Sequence, residues 1–185
     1  MPKQPFFRFA TLFVYIAFMA CKKDSITTSS PETTSDFTAS SVAFTNNGTY
    51  PKKYTCDSLG ISPPISWANA PVGTASYAIT MHTIAIDGAR HEYIILYNIP
   101  PTILSIAEGI TGVGLWGINT VNGKTSYTPP CSQGSGSKLY VITVYALSAA
   151  PVLTVPQTQV TMSVLLEAMA GKTLATSTIN ITYTR

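Results

Sequence analysis

Two histidines, His82 and His91, carry most of the acid–base capacity of this chain near neutral pH. Imidazoles serve as general bases, as metal ligands or as cationic anion contacts. A metal site takes about four ligands, at least three of them from protein in most cases. No third ligand accompanies the two histidines, so a metal is not expected. The chain has 8 acidic residues. Asp57, Asp87, Glu92 or Glu108 could complete a Ser/His/acid triad, which is defined by geometry rather than order, but nothing in the sequence selects one. There is no Gly-x-Ser-x-Gly elbow. Gly134-Ser135-Gly136-Ser137-Lys138 lacks the spacing of a phosphate loop and reads as a flexible connection. The expectation is a protein that is not an enzyme and needs no cofactor.

The 3 cysteines divide by position. Lys3 and Arg8 precede an apolar run from Phe9 to Ala20. The run falls short of the roughly 20 residues that span a bilayer, and residues 1–20 read as a signal peptide. Phe18-Met19-Ala20-Cys21 resembles a bacterial lipobox, which makes Cys21 the expected lipidation site. An ordinary secretory signal with a chance cysteine is the alternative. Acyl chains on Cys21 would hold the protein on a membrane, in a bacterial cell envelope, periplasmic or surface-exposed. Residues 21–40 are rich in Ser and Thr, too polar to bury a core, and read as a tether. Cys56 and Cys131 remain. An even pair in an exported domain is a candidate disulfide; two buried thiols are the alternative.

Those groups need a scaffold, and the remaining sequence describes one. Charged residues are 10% of the chain, against roughly 25% in ordinary soluble domains. A net charge of +3 spread this thinly forms no basic stripe, so nucleic acid is not an expected partner. The 45% apolar content is enough for a core, and 10 Tyr, 13 Pro and 12 Gly favour a turn-rich β protein. Ala75 to Ile84 alternates: Tyr77, Ile79 and Met81 on one face, Ala78, Thr80 and His82 on the other. Tyr93 to Ile99 is nearly all apolar, as in a strand covered on both faces, and Asp87-Gly88 turns between the two. Trp116–Val121 and Lys124–Tyr127 flank Asn122-Gly123 and predict another hairpin. Leu139–Leu147 is a long β-branched and aromatic strand. Gln159–Ala170 has helical spacing with Gly171 as a stop. Ser177–Tyr183 alternates again. The fold expected is mainly β: an antiparallel two-sheet sandwich with one late short helix, over residues 41–185.

Several motifs carry a family resemblance. Ile61-Ser62-Pro63-Pro64-Ile65-Ser66-Trp67 precedes Asn69-Ala70-Pro71-Val72-Gly73-Thr74-Ala75-Ser76-Tyr77-Ala78, then Tyr97-Asn98-Ile99-Pro100, then Val144-Tyr145-Ala146-Leu147. Their order resembles the bacterial Raf-kinase-inhibitor-like branch of the phosphatidylethanolamine-binding protein family, from about Phe44 to Arg185. The resemblance implies a two-sheet β-sandwich with a small anion-binding pocket, and it places Cys56 and Cys131 in loops flanking that pocket. The family's Asp-Pro-Asp triplet is replaced here by Thr83-Ile84-Ala85. One family histidine corresponds to Tyr93, with His91 two residues earlier on the same strand face. A second corresponds to Lys138, ahead of Tyr140. The proline loop persists in altered form as Tyr127-Thr128-Pro129-Pro130-Cys131-Ser132-Gln133-Gly134.

The expected ligand site is therefore His82, Thr83, His91, Tyr93, Tyr127, Pro130, Lys138 and Tyr140. His82 and His91 are expected to face each other from paired strands. Tyr127 and Tyr140 supply hydroxyls and Lys138 a positive charge. The ligand class implied is a small anion or a phospholipid headgroup, bound by a membrane-anchored lipoprotein. Two other readings stand beside it. One is an inhibitor or interaction module acting on an exported enzyme, which predicts an apolar patch outside the pocket. The other is a hydrolase, which predicts a nucleophile within hydrogen-bond reach of a histidine. No protein partner is named by the sequence.

Overall fold

The computed structural model describes residues 36–185. The expected signal peptide, the expected lipidation site Cys21 and the expected tether up to residue 35 lie outside the described residues. Nine strands run in the order β1 (Thr38–Ser40), β2 (Gly48–Thr49), β3 (Ile65–Ala68), β4 (Ser76–Ile84), β5 (Arg90–Ile99), β6 (Ser105–Ile106), β7 (Leu115–Trp116), β8 (Ser137–Leu147) and β9 (Thr173–Thr184), with helix α1 (Met162–Met169) before the last. They form a three-stranded sheet, β1-β3-β6, and a six-stranded sheet, β2-β9-β8-β4-β5-β7. Every pairing is antiparallel except β2 with β9. β1 falls inside the segment expected to be tether: Thr38 pairs with Ala68, and Phe37 stacks on Tyr77.

The alternation of β4 sorts its side chains between two cores. Tyr77, Ile79 and Met81 point between the sheets with Ile142, Val144, Ile179 and Ile181, and meet Ile65 and Trp67 of β3. Ala78 points the other way, with Ile95, Tyr97 and Leu147, and is covered by Val160, Met162, Leu165 and Met169. That second layer is why the run from Tyr93 to Ile99 is apolar at successive positions. The helix starts three residues later than its spacing predicts, because Gln157–Gln159 form a 3₁₀ turn after Pro156. Thr161 caps it by accepting from the Val164 N–H, and Gly171 leaves it at a positive φ of 72°.

The hairpin expected around Asn122-Gly123 is not one. β7 ends at Trp116, and the chain then loops. Asn119 accounts for this: its amide N–H₂ donates to Asn122 Oδ1, to Lys124 O and to Ser126 O, while its Oδ1 accepts from the N–H groups of Val121 and Asn122. A side chain thus takes the backbone groups that a strand ladder would have used.

Candidate functional site

Three strand ends meet at one edge of the large sheet. The end of β4 carries Thr83, the start of β5 His91 and Tyr93, and the start of β8 Lys138 and Tyr140; together they line a cavity of about 500 Å³. Ile84 and Ala85 continue its wall, so all three residues of the rewritten triplet reach it. Loops complete the enclosure through Thr120 and Val121 on one side and Cys131 to Gly134 on the other.

A β-bulge decides which β5 residues face the cavity. Met81 pairs with Ile94 and His82 with Glu92, leaving Tyr93 as the extra residue. His91 and Tyr93 consequently share the inner face. Thr83 Oγ1 donates to Leu139 O at 2.5 Å and fixes the β4–β8 register at the cavity floor. Tyr93 and Tyr140 meet edge to face with ring centroids 5.5 Å apart. Burial pushes both phenols above their ordinary range, so both hydroxyls stay protonated and serve as donors. Lys138 is half-buried, and a Cβ built on Gly134 would lie 3.7 Å from its Nζ, which sets the ammonium against the loop backbone. Among the described residues Lys138 joins no ion pair, and no carboxylate lines the cavity. The hydroxyls of Thr83 and Ser132 donate to the carbonyls of Leu139 and Gly134.

Three expected site residues lie elsewhere. His82 does not face His91. It shares the outer face of β4 with Ala78, beside Arg90 and Glu92, and its Nδ1 is buried without a hydrogen-bond partner. Burial, and then the Arg90 charge, lowers its pKa. The reason is period two: residues 82 and 83 must point apart, and Thr83 holds the inner position. Glu92, only 3% exposed, accepts from Arg90 Nε at 2.9 Å and from the Met162 N–H at 3.3 Å, tying the outer face to the start of α1. Tyr127 offers no hydroxyl to the cavity. It hydrogen-bonds to Tyr50 at 3.1 Å, donates to Tyr54 O, and lines a separate, more open groove with Trp116 and Ile61. Pro130 is buried behind the wall, where its carbonyl accepts from the Cys56 N–H at 3.0 Å.

Cys56 and Cys131 form a disulfide with Cα atoms 5.2 Å apart. It joins the loop after Tyr54 to the wall segment that carries Ser132 and Gln133. Thr120, Val121, Ser132 and Gln133 were not expected at the site. The signal for the last two was present, since the altered proline loop runs directly into them; Thr120 and Val121 were hidden by the false strand. Among the described residues no group of three or more His, Cys, Asp or Glu is placed to hold a metal.

Comparison with known proteins supplies the context. The phosphatidylethanolamine-binding protein family model matches residues 40–184. A protein of Chlamydia muridarum called UPF0098 protein is 35% identical over 150 residues, covering 77% of this chain and 95% of that one. A protein of Mycobacterium tuberculosis with the same name is 36% identical over 140 residues, covering 73% of this chain and 67% of its own. A solved structure of a phosphatidylethanolamine-binding protein homologue from Chlamydia trachomatis matches with a TM-score of 0.73 at 32% identity, covering 81% of this chain and 98% of that one. An E. coli structure described as a new member of the mammalian PEBP family also reaches 0.73, at 19% identity, over 82% of this chain and 99% of its own, a likeness of fold.

Proposed function

The chain belongs to the phosphatidylethanolamine-binding protein family, and on that premise we propose that its cavity binds a small anion, in particular the phosphate ester of a lipid headgroup. One observation carries this reading: the ionisable cation-forming side chains lining the cavity are His91 and Lys138, and no carboxylate opposes them. The phenols of Tyr93 and Tyr140 and the amide of Gln133 supply neutral donors around the same space. A charge-assisted contact from Lys138 is the strong element of such a site, and hydrogen-bonded phenols orient the oxyanion. The role is binding rather than catalysis, exercised by a lipoprotein anchored to the cell envelope through Cys21.

Calorimetry with phosphate, phosphoethanolamine and glycerophosphoethanolamine tests the site. His91→Gln is expected to weaken binding and His82→Gln to leave it unchanged, because of the two only His91 lines the cavity. No heat and no thermal shift at millimolar ligand would overturn the reading. For the anchor, Cys21→Ser should abolish lipid labelling and release the protein from the membrane fraction; unchanged labelling refutes it.

A further inference from the structure

The disulfide belongs to the cavity wall, and its two halves are placed differently. Cys131 lines the cavity, whereas Cys56 sits in the loop after Tyr54 and does not. Both are half-buried rather than sealed in the core. Two donors converge on Cys131 Sγ: the Gln133 amide Nε2 at 3.7 Å and the Arg185 guanidinium Nη1 at 3.9 Å. Arg185 is itself held by Asp57 at 2.9 Å and by Ser132 O at 3.1 Å. The Asp57 carboxylate offsets part of its charge, but it does not line the cavity, where His91 and Lys138 face no acid. One space thus brings together a disulfide sulfur, donors aimed at that sulfur, and two cation-forming side chains.

That combination has a chemistry of its own. A thiolate attacks one sulfur of a disulfide and expels the other. Negative charge spreads along the three sulfurs as it does so, and donors fixed at the central sulfur stabilise that state. From the cavity the sulfur within reach is that of Cys131. A thiol RSH entering there gives its proton to water, and RS⁻ forms a bond to Cys131 Sγ as the Cys131–Cys56 bond breaks. The electron pair leaves on Cys56 Sγ, which takes up a proton. RSH is oxidised to the mixed disulfide and Cys56 is reduced to the thiol, so no further oxidant or reductant is needed. The fold does not have to open for this. Cys56 N–H stays bonded to Pro130 O at 3.0 Å and Arg185 keeps hold of Ser132, so the Cys56 thiol remains beside the new bond and can reverse it.

We propose that Cys131 is a reversible thiol-capture site, at which the cavity takes a small thiol carrying an acidic group and holds it as a mixed disulfide. The acidic group meets Lys138 and His91 while the sulfur meets Cys131. A cavity of about 500 Å³ has room for such a molecule. This rests on the anion reading of the cavity.

Thiols of similar size and different charge test it on the unaltered protein. Mercaptoethanesulfonate, mercaptoethanol and cysteamine are added at millimolar concentration, the released thiol is trapped with N-ethylmaleimide after an acid quench, and the peptides are mapped by mass. Rates are compared per thiolate, because the three thiols differ in acidity. The expected products are the sulfonate adduct on Cys131 and the maleimide on Cys56. The sulfonate should react about tenfold or more faster than cysteamine, the size of a field-steered encounter in a charged cleft. High salt should narrow that ratio, and so should Lys138→Met. Cys56→Ser removes the group that recloses the bond. In that variant Cys131 should show the same preference for an anionic over a cationic ethyl methanethiosulfonate, each rate divided by the rate with mercaptoethanol in solution. No adduct on the unaltered protein, an adduct on Cys56, or equal rates per thiolate overturns the proposal. Calorimetry with phosphoethanolamine separates the two layers. Heat without capture keeps the anion reading and removes the thiol site. A Cys131 adduct with the sulfonate preference but no heat supports the thiol site and removes the phosphate-ester reading.

Discussion

Replacing both halves of the disulfide, Cys56→Ser with Cys131→Ser, should destabilise the protein chiefly through its unfolded state. The bond closes a loop with a sequence separation of 75 residues. The chain-entropy relation gives about 4 kcal/mol for a loop of that length. The folded ends stay pinned by other contacts. Cys56 N–H donates to Pro130 O, Arg185 donates to Ser132 O at 3.1 Å, and the same guanidinium pairs with Asp57 at 2.9 Å. The wall of the cavity should therefore survive in the variant while the unfolded chain expands. At about 2–4 °C per kcal/mol for a domain of this size, the melting temperature should fall by roughly 8–16 °C. Urea unfolding should show a lower midpoint and a steeper m-value, because more surface is exposed on unfolding. Near-UV circular dichroism should stay native before the transition. A loss below about 1 kcal/mol with an unchanged m-value would refute the reasoning, since the entropic constraint would then be absent.

Lys138→Met should weaken anion binding by about 1 kcal/mol or less if the ammonium stays hydrated in the complex, and by roughly 1.5–3 kcal/mol if it is desolvated against the anion; titration calorimetry distinguishes the two. His82 has a pKa lowered by burial, so above its unfolded value of about 6.5 it is neutral in both states and costs nothing. Below that, the unfolded chain takes the proton first, and stability should fall as pH drops through the folded pKa. His82→Gln should flatten this acid limb in melting curves recorded between about pH 7.5 and 5, and an unchanged limb would assign it to other groups. Glu92→Ala removes the acceptor shared by Arg90 and the Met162 N–H. Arg90 is part-exposed and can be hydrated, so the expected loss is about 1–3 kcal/mol by chemical denaturation, with faster amide exchange at the start of α1; a loss confined to global unfolding would deny the link to the helix.

Much of the scaffold was legible in the chain because burial imposes a period. Ile179, Ile181 and Tyr183 alternate and are buried, as do Tyr77, Ile79 and Met81. The apolar run of β5 announced a strand covered on both faces, and the even pair of cysteines within the β domain announced the bond now seen between Cys56 and Cys131. The order of the proline, tryptophan and tyrosine motifs carried the family. Period two, however, states only that neighbours diverge; it does not say which face holds a cavity. The bulge at Tyr93 set His91 on the inner face, while strict alternation sent His82 to the helix side. Only long-range contacts could settle that Tyr127 bonds to Tyr50, 77 positions away, rather than to a ligand. The same holds for the loops bearing Val121 and Gln133, which become cavity walls because Asn119 and the disulfide hold them there. Strand identity is decided by local spacing and the hydrophobic effect. The site is decided by which strand ends and loops the packed sheets bring together, and no local pattern encodes that.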